Sequence, residues 1–317
     1  MAKPVDPLLI GVDVSKASLA VAQSTDSQTF TLSNERRTIG RWLKTLPEGS
    51  SLALEATSHY HRLLARMAHE AGLQVFLLDG FKLSRYRDSI GGRAKTDDSD
   101  ARLLLRYLTH ERDGLTPWTP PPAAYERLQA LLHRRAVLVQ TRVMLKQSLG
   151  DVPELRASAA SLDRRLRQLE ALLEKRMREC LRAEEAWGNV TRCQAVEGIG
   201  PLTAMALANV FRRGAFRSSD AFIAFLGLDV RVKESGTYRG RRKLSKRGDA
   251  ELRRLLHNAA MTASRAKGWH EYYQSLLQRG LKTTEALVIL ARKLARIAFA
   301  LMKNQSQYRG FKIAATA

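Results

Sequence analysis

The first third of the chain alternates short apolar runs with segments in which apolar residues recur at helical spacing. The apolar runs predict five strands, at residues 8–13, 18–25, 28–33, 50–56 and 74–79. The amphipathic segments predict helices at residues 35–46, 59–72 and 97–109. Thr96 is placed to cap the last of these helices. The order β-β-β-α-β-α-β-α predicts an α/β domain over residues 1–115.

A proline-rich break, TPWTPPPA, begins at residue 116 and separates this domain from a helical region. Residues 124–186 contain almost no glycine and carry repeated leucines among charged residues, which predicts two long helices interrupted near residues 150–154. We expect these helices to pair as a coiled coil, with each other or with another subunit. The dimerising spacer therefore covers residues 116–186, and a mainly α-helical third domain covers residues 187–317.

The balance of charge is strongly basic. Of the 317 residues, 53 are Lys or Arg and 31 are Asp or Glu, which gives a formal net charge of +22. An excess of this size attracts polyanions and favours nucleic acid as a partner. The alternative is a basic protein without a polyanionic partner. The bases are densest between Arg231 and Arg254, where ten Lys or Arg residues stand against three acids.

Other features bear on where the protein acts. The two cysteines, Cys180 and Cys193, match no CxxC pattern, which suits a reducing cytosol and argues against a zinc site or a disulfide framework. The N-terminal segment reaches an aspartate too early for a signal peptide. The apolar stretch at residues 286–302 is interrupted by three bases and predicts a packed helix, not a membrane span. We expect a cytoplasmic, nucleoid-associated protein.

Four carboxylates stand where the predicted fold would bring them together. Asp13 and Glu55 end two predicted strands, and ligand crevices in open α/β sheets lie at such strand ends. Asp97 and Asp100 share one face of a helix, whereas Asp98 points elsewhere. Converging carboxylates repel one another unless a cation lies between them, and oxygen ligands suit Mg²⁺ or Mn²⁺. The alternative is that the acids at the helix start only complement its dipole.

Several motifs resemble one family of DNA recombinases. The stretches GVDVSK, LEAT and KTDDSDA contain the four carboxylates and resemble the acidic tetrad of the insertion-sequence one-ten family, the Piv-like DEDD transposases. The later stretches EGIGPLTA, FLGL, SG and LSKRGDAELRRLL resemble the C-terminal transposase domain of that family. The resemblance therefore extends over most of the chain.

The resemblance implies an RNase H-like N-terminal domain, similar to that of the RuvC resolvases. It implies that Asp13, Glu55, Asp97 and Asp100 bind Mg²⁺, and that a serine becomes covalently linked to DNA during strand exchange. It also implies that a structured RNA guides the transposase to its donor and target DNA. We expect a homodimer that forms a tetramer in the synaptic complex, with a catalytic site assembled between domains.

The family's serine lies in the SG pair after the GL motif, which is Ser235 in this chain. Ser-Gly is also a common turn pair, so a purely structural role is the alternative. Ser245 is the competing candidate, although its place before a helix is more typical of a cap or a phosphate contact. The family often has a proline shortly after GL, where this chain has Asp229 and Val230.

The candidate serine is surrounded by bases, and a glycine hairpin precedes it. The stretch EGIGPLTA resembles a helix-hairpin-helix, whose glycines let backbone N–H groups approach a phosphate. A glycine turn between packed helices is the alternative. We predict nucleic-acid contacts from Arg231, Lys233, Arg239, Arg241, Arg242, Lys243, Lys246, Arg247, Gly198 and Gly200.

Three other functions fit parts of the sequence. A RuvC-like junction endonuclease would use the four acids to activate water and would need no serine. A non-enzymatic nucleic-acid-binding protein would account for the charge but would leave the acids without a role. A sugar-kinase-like ATPase shares the opening strand, but this chain lacks a glycine-rich phosphate loop after it.

Overall fold

A computed structural model gives the chain as two compact units, residues 1–120 and 121–317. The structure describes residues 7–56, 59–91, 96–214, 216–231, 234–240 and 242–310. Each unit has its own hydrophobic core. The division into three domains, with boundaries at residues 115 and 186, stays a prediction.

The first unit is built on one five-stranded sheet. Its strands are β1 (Leu9–Val14), β2 (Ser18–Gln23), β3 (Thr29–Ser33), β4 (Ser51–Glu55) and β5 (Gln74–Leu78). They lie in the order β3-β2-β1-β4-β5, with antiparallel pairing among the first three strands and parallel pairing of β4 to β1 and β5. The predicted strands and their mixed α/β setting are confirmed.

Helices cover both faces of this sheet. They are α1 (Arg36–Leu43), α2 (His61–Glu70), α3 (Gly80–Ser89) and α4 (Asp97–Glu111), followed by a 3₁₀ turn at Arg112–Gly114. On one face, α1 and α2 bury Ile39 and Leu64. On the other face, α3 and α4 bury Leu83 and Leu104. The sheet is therefore the middle layer of three, an arrangement typical of α/β folds.

The predicted order of elements is wrong after β5, because it passes directly to the helix that begins at Asp97 and omits α3. Only Leu83 among its ten residues is buried, so the segment lacks the apolar periodicity that predicts a helix. The helix start is stabilised by Asp79, whose carboxylate accepts hydrogen bonds from the backbone N–H groups of Phe81 and Lys82.

The second unit begins with a long helical hairpin. Its helices are α5 (Ala123–Ser148) and α6 (Arg156–Ala183), with a 3₁₀ turn at Pro153–Leu155 between them. The predicted interruption near residues 150–154 is confirmed. Arg135 of α5 donates to Glu170 at 2.5 Å and to Glu174 at 2.7 Å, so the two helices pair within one chain. Coiled-coil pairing with another subunit stays a prediction.

The remaining helices pack around one core. They are α7 (Trp187–Gln194), α8 (Pro201–Arg212), α9 (Ser219–Phe225), α10 (Ala250–Ala263), α11 (Lys267–Gln278) and α12 (Thr283–Asn304). Phe222, Trp269 and Leu290 are fully buried in this core, which also contains Leu128 of α5 and Leu181 of α6. The predicted mainly helical C-terminal region is confirmed.

Between α9 and α10, the described residues form four two-residue strands. They are β6 (Val230–Arg231), β7 (Glu234–Ser235), β8 (Tyr238–Arg239) and β9 (Lys243–Leu244). Strand β6 pairs with β9 and β7 pairs with β8, both antiparallel. We call residues 229–245 the serine loop because they contain both candidate serines.

Helix α12 contains the most apolar late stretch of the chain. It buries Leu294 and Ala298 in the core, while Arg292 and Lys293 are half-buried at its edge. The predicted packed amphipathic helix is therefore confirmed. Across the part of the chain that the structure describes, no helix is both long and apolar enough to cross a bilayer.

Candidate active site

Asp13 and Glu55 lie beside each other at the carboxyl edge of the sheet. Parallel pairing joins Val12 to Leu54, so the next residue on each strand is an acid at the same level. Successive residues of a strand point to opposite faces. Ala53 packs into the cluster beneath α3 and α4, so Glu55 shares that face. Val12 packs on the opposite face, which places Asp13 beside Glu55.

Helix α4 can lie against β1 because Gly11 has no side chain. A methyl group on Gly11 would overlap the carbonyl oxygen of Ala101 and the backbone of Leu105 in α4. The helix backbone therefore occupies the space that any other residue would fill. This contact brings the first turn of α4, with its two tetrad acids, to the end of β1 where Asp13 lies.

A capping box holds the first turn of α4. The Thr96 hydroxyl accepts a hydrogen bond from the N–H of Ser99 at 3.2 Å, and the Ser99 hydroxyl accepts one from the N–H of Thr96 at 2.9 Å. The predicted cap at Thr96 is confirmed. Asp97 and Asp98 are exposed, whereas Asp100 is half-buried.

The acids together change the ionisation of Asp13. Burial, followed by the charges of Asp100, Asp97 and Glu55, raises the pKa of Asp13 from about 3.8 to about 6. Asp98 is not among these causes, in agreement with its predicted outward direction. Asp13 therefore lies within electrostatic reach of the other three predicted carboxylates.

The fit of this group to a metal ion rests on its charge and its donor atoms. Burial and the charges of the neighbouring acids both raise the pKa of Asp13, and a cation would offset both, since it favours the charged carboxylate. Carboxylate oxygens are also the ligands that Mg²⁺ and Mn²⁺ prefer. Among the described residues, no three His, Cys, Asp or Glu side chains stand close enough together to hold one ion. Binding an ion would therefore require the carboxylates to draw closer.

Asp100 has a cationic partner within the protein. Nη2 of Arg87, near the end of α3, lies 2.6 Å from Oδ1 of Asp100, and the two side chains are only 20% and 13% exposed. An ion that binds through this oxygen has to displace the guanidinium or share the oxygen with it. Sequence reasoning misses Arg87 because it lies on the helix that the apolar pattern does not predict.

The position of the Glu55 side chain depends on a second glycine, Gly80, whose backbone lies against the carboxylate. A methyl group on Gly80, the first residue of α3, would overlap Oε1 of Glu55. The Glu55 side chain therefore packs directly against the backbone at the start of α3. Nothing in the sequence around Gly80 singles it out, because its role appears only when α3 is folded onto the sheet.

Ser235 lies exposed at the tip of the serine loop. It pairs with Tyr238 across a two-residue turn formed by Gly236 and Thr237. Gly236 has φ of +56°, as two-residue hairpins with glycine at the first turn position require. The Ser-Gly pair is thus part of a hairpin, and its hydroxyl stays accessible.

Ser245 is the last residue of the serine loop and is half-buried. Its hydroxyl donates to the carboxylate of Asp229, and its N–H donates to the Asp229 carbonyl at 2.9 Å. The interpretation of Ser245 as a helix cap is wrong. Asp249 is the N-cap of α10 and accepts a hydrogen bond from the N–H of Glu251.

The structure describes most of the basic side chains that are predicted to contact nucleic acid. Exposed bases occur in the serine loop and just after it, at Arg231, Arg242, Lys243, Lys246 and Arg247. Lys233, Arg241 and the side chain of Arg239 lie outside the described residues. The exposed bases provide positive charge close in sequence to Ser235, which is compatible with contacts to a phosphate backbone.

Gly198 and Gly200 lie in the turn between α7 and α8. A methyl group on Gly198, where φ is +91°, would come within 2.5 Å of the Ala259 carbonyl oxygen and 2.6 Å of Ala263 Cβ. Packing against α10 therefore accounts for Gly198, as the glycine-turn alternative predicts. Gly200 is the N-cap of α8, and Pro201 follows it. Phosphate contacts from this turn stay a prediction.

Comparison with known proteins identifies the family. Residues 10–152 match the family model DEDD_Tnp_IS110, described as "Transposase", and residues 190–274 match the model described as "Transposase IS116/IS110/IS902 family". The chain belongs to the IS110 family of transposases. This confirms the resemblance to the insertion-sequence one-ten family and makes the protein a DNA-processing enzyme of the transposase and recombinase class.

Individual relatives agree with this assignment. The pilin gene-inverting protein of Moraxella lacunata is 26% identical over 94% of this chain and 97% of its own length. A probable family 20 transposase of Pseudomonas aeruginosa is 35% identical over 49% of this chain and 46% of its own. The transposase for insertion sequence element IS1111A of Coxiella burnetii is 35% identical over 37% of this IS110 family chain and 34% of its own.

Proposed function

We propose that this IS110 family transposase cuts and joins DNA through a covalent serine–DNA intermediate and that it depends on Mg²⁺ or Mn²⁺. The observation that carries the proposal is that Asp13, half-buried beside Glu55 at the carboxyl edge of the sheet, lies within electrostatic reach of Glu55, Asp97 and Asp100. The strand order and the acids at the carboxyl edge support an RNase H-like fold for the first unit. The accessible hydroxyl of Ser235 supports it as the nucleophile.

The proposed reaction exchanges one phosphodiester for another. Oγ of Ser235 bonds to phosphorus and its proton passes to solvent, while the bond from phosphorus to a bridging DNA oxygen breaks and leaves a DNA hydroxyl. A hydroxyl of the second DNA then attacks the seryl phosphodiester and releases the serine. A divalent ion, when bound by the four carboxylates, would stabilise the attacking and leaving oxygens. The exposed bases after Ser235 would neutralise the phosphates.

A covalent-adduct assay tests this proposal. The protein is incubated with nicked DNA that spans the ends of its element and is then denatured in detergent. Wild type should give a protease-sensitive protein–DNA band, and Ser235→Ala and Asp13→Ala should reduce it roughly a thousandfold or more. Ser275→Ala is the matched control, because the Ser275 hydroxyl donates to the Tyr272 carbonyl of its own helix, α11.

The rival functions give different results in the same assay. DNA cleavage without an adduct, unaffected by Ser235→Ala, would establish a RuvC-like junction endonuclease that uses metal-activated water. If Asp13→Ala leaves every nucleic-acid function intact, the acids have no catalytic role and the protein only binds nucleic acid. Either result contradicts the serine mechanism.

We also propose that a structured RNA guides the enzyme. The net charge of +22 supports binding of more than one nucleic acid. Sequencing the nucleic acid that co-purifies with the protein from its host tests the idea. A discrete RNA encoded beside the gene supports guidance, whereas a random sample of cellular RNA contradicts it.

Donor and target DNA are the proposed substrates. One relative is named for inverting a pilin gene, and inversion and transposition both join strands from two DNA sites. We therefore propose that this chain exchanges strands between two duplexes, and that it does so in the cytoplasm at the nucleoid. A plasmid carrying both sites should yield recombinant junctions, readable by sequencing, only when both sites are present.

A homodimer is the proposed working unit, with a tetramer in the synaptic complex. Leu162 and Leu169 of α6 lie seven residues apart, Leu155 lies seven residues before Leu162 in the preceding turn, and these leucines together with Leu172 are 41–46% exposed. An exposed apolar stripe at heptad spacing is typical of a helix that packs against a partner helix. The stripe supports coiled-coil pairing between hairpins of two copies.

A further inference from the structure

The base of the serine loop is built separately from its tip. Strands β6 and β9 pair at the base, where they join Val230 to Leu244. Just outside them, the N–H of Lys246 donates to the carbonyl of Gly227 at 3.3 Å. The tip pair, β7 and β8, has no ladder to this base pair in the described residues. Among the described residues, the base and the tip are thus two separate strand pairs.

Two glycines let the ends of the loop cross. A methyl group on Gly227, where φ is +69°, would overlap the backbone nitrogen of Gly248. A methyl group on Gly248 would overlap the backbone of Phe225 and Leu226. These glycines belong to the motifs FLGL and LSKRGD, so the two motifs form one crossing point. Arg253 of α10 donates to the Gly248 carbonyl at 2.5 Å and ties the crossing to the helical core.

Just inside the crossing, Asp229 and Ser245 join the two ends through both backbone and side chain. The Ser245 hydroxyl donates to the Asp229 carboxylate in addition to the backbone hydrogen bond between the same residues. Both residues are half-buried, so water competes only partly for this bond. A hydrogen bond to a carboxylate is about twice as strong as one between neutral groups.

Helix α12 contributes a charge to this anchor. Burial and Arg296 lower the pKa of Arg292, and the carboxylates of Asp220 and Asp229 act in the opposite direction. Asp229 therefore lies within electrostatic reach of a guanidinium on the core helix. The same carboxylate accepts a hydrogen bond from Ser245 on the loop.

We propose that Asp229 and Ser245 are positioning residues whose hydrogen bond holds the base of the serine loop and so directs Ser235 toward the DNA phosphate. The inference rests on the proposed role of Ser235 as nucleophile. It assigns Ser245 a task other than attack, because Ser245 is half-buried at the loop base whereas Ser235 is exposed at the tip. It also predicts that rate, not DNA affinity, depends on the pair, because the exposed bases remain in place.

Hydrogen–deuterium exchange of the protein without DNA measures the anchor directly. Peptides within residues 229–245 should exchange about tenfold faster in Ser245→Ala than in wild type. Ser245→Thr keeps the hydroxyl and should restore slow exchange. Ser275→Ala, which loses a hydroxyl of similar burial on α11, should leave the loop unchanged. Equal exchange in Ser245→Ala and wild type overturns the proposal.

Single-turnover adduct formation measures the consequence. Ser245→Ala should form the adduct about tenfold more slowly, which corresponds to about 1.4 kcal/mol, with DNA affinity and melting temperature unchanged. Ser245→Thr should recover the rate. Asp229→Asn, which keeps an oxygen acceptor but loses the charge facing Arg292, should fall between Ser245→Ala and wild type.

The outcomes separate this inference from the proposed function. If Ser245→Ala abolishes the adduct while Ser235→Ala keeps it, Ser245 is the nucleophile and the positioning role is overturned. If Ser235→Ala abolishes the adduct and Ser245→Ala has the wild-type rate, only the positioning role fails. If wild type forms no adduct, both fail, and the exchange data then report a structural hydrogen bond alone.

Discussion

Asp13 lies in surroundings that disfavour the charged form of its carboxyl group. Its pKa is raised to about 6, so between about pH 4 and pH 6 the folded protein keeps a proton that the unfolded chain has lost. Folding stability without metal therefore falls as pH rises through this window. Above about pH 6 the charged Asp13 destabilises the fold at full strength.

Replacing Asp13 by Asn should remove this pH dependence. Without divalent ions, Asp13→Asn should be more stable than wild type at pH 8, and the difference should disappear near pH 4 because the wild-type carboxyl is then protonated. Urea unfolding at several pH values with a chelator present measures it. Asp98→Asn is the control, because Asp98 is a neighbouring acid of α4 that is not among the causes of the raised pKa of Asp13. A difference that stays constant with pH would contradict the assignment.

Gly11→Ala tests whether close packing of α4 assembles the acids. The added methyl group overlaps α4 backbone, so we expect a loss of about 1–3 kcal/mol in the free energy of unfolding and a weaker adduct signal. Gly40→Ala is the control, because its new methyl group would meet only the flexible end of Met67 at 3.3 Å. Chemical denaturation of both variants gives the comparison. Equal stability of the two variants would count against the packing argument.

At the scale of elements, the hairpin of α5 and α6 has ion pairs between its two helices and exposed leucines on the surface of α6. Arg135 and Arg142 of α5 both reach Glu170 of α6, at 2.5 and 3.6 Å. These partly buried ion pairs favour one register of the two helices, since a shift by one turn would separate them. The leucines left outside the hairpin are then available to a second copy.

Leu162→Lys should weaken the proposed dimer. Leu162 lies in the middle of the exposed stripe, and a lysine there would place a charge in an apolar contact between two copies. Light scattering coupled to size exclusion should show a shift toward monomer at micromolar concentration. Ala171→Lys adds the same charge at an exposed position away from the stripe and should keep the dimer. Identical masses for the two variants would rule out this stripe as the interface.

At the scale of the whole molecule, the excess of positive charge determines how nucleic acid is attracted. Because Lys and Arg release counterions from the phosphates they contact, binding should weaken steeply as salt rises. Lys243→Ala with Lys246→Ala should lower the slope of log affinity against log salt by about 1.8, or about 0.9 for each lost phosphate contact. Fluorescence anisotropy measures the slope.

The control for this prediction uses two exposed bases elsewhere. Arg165→Ala with Lys175→Ala removes the same charge from α6. If the serine-loop lysines contact phosphate directly, only their removal changes the slope. Equal effects of the two double variants would show that net charge alone governs binding.

Much of the fold follows from local pattern. The alternating runs that became β1 to β5, the capping box at Thr96 and the break between α5 and α6 all depend on residues close together in the chain. The four acids were also predictable, because strand ends and a helix start are places that periodicity locates. The family was also predictable, because motifs such as GVDVSK and KTDDSDA consist of consecutive residues and can be read from the sequence directly.

The sequence by itself thus determined the five strands of the sheet, most of the helices, the candidate acids and the family. Only the tertiary structure decided that α3 is a helix, that Arg87 reaches Asp100, and that Gly227 and Gly248 cross. Each of these depends on the space or charge that a distant segment supplies, and no local pattern carries that information. Glycine shows this most clearly, since the sequence shows where a side chain is missing, and only the fold shows what fills the space.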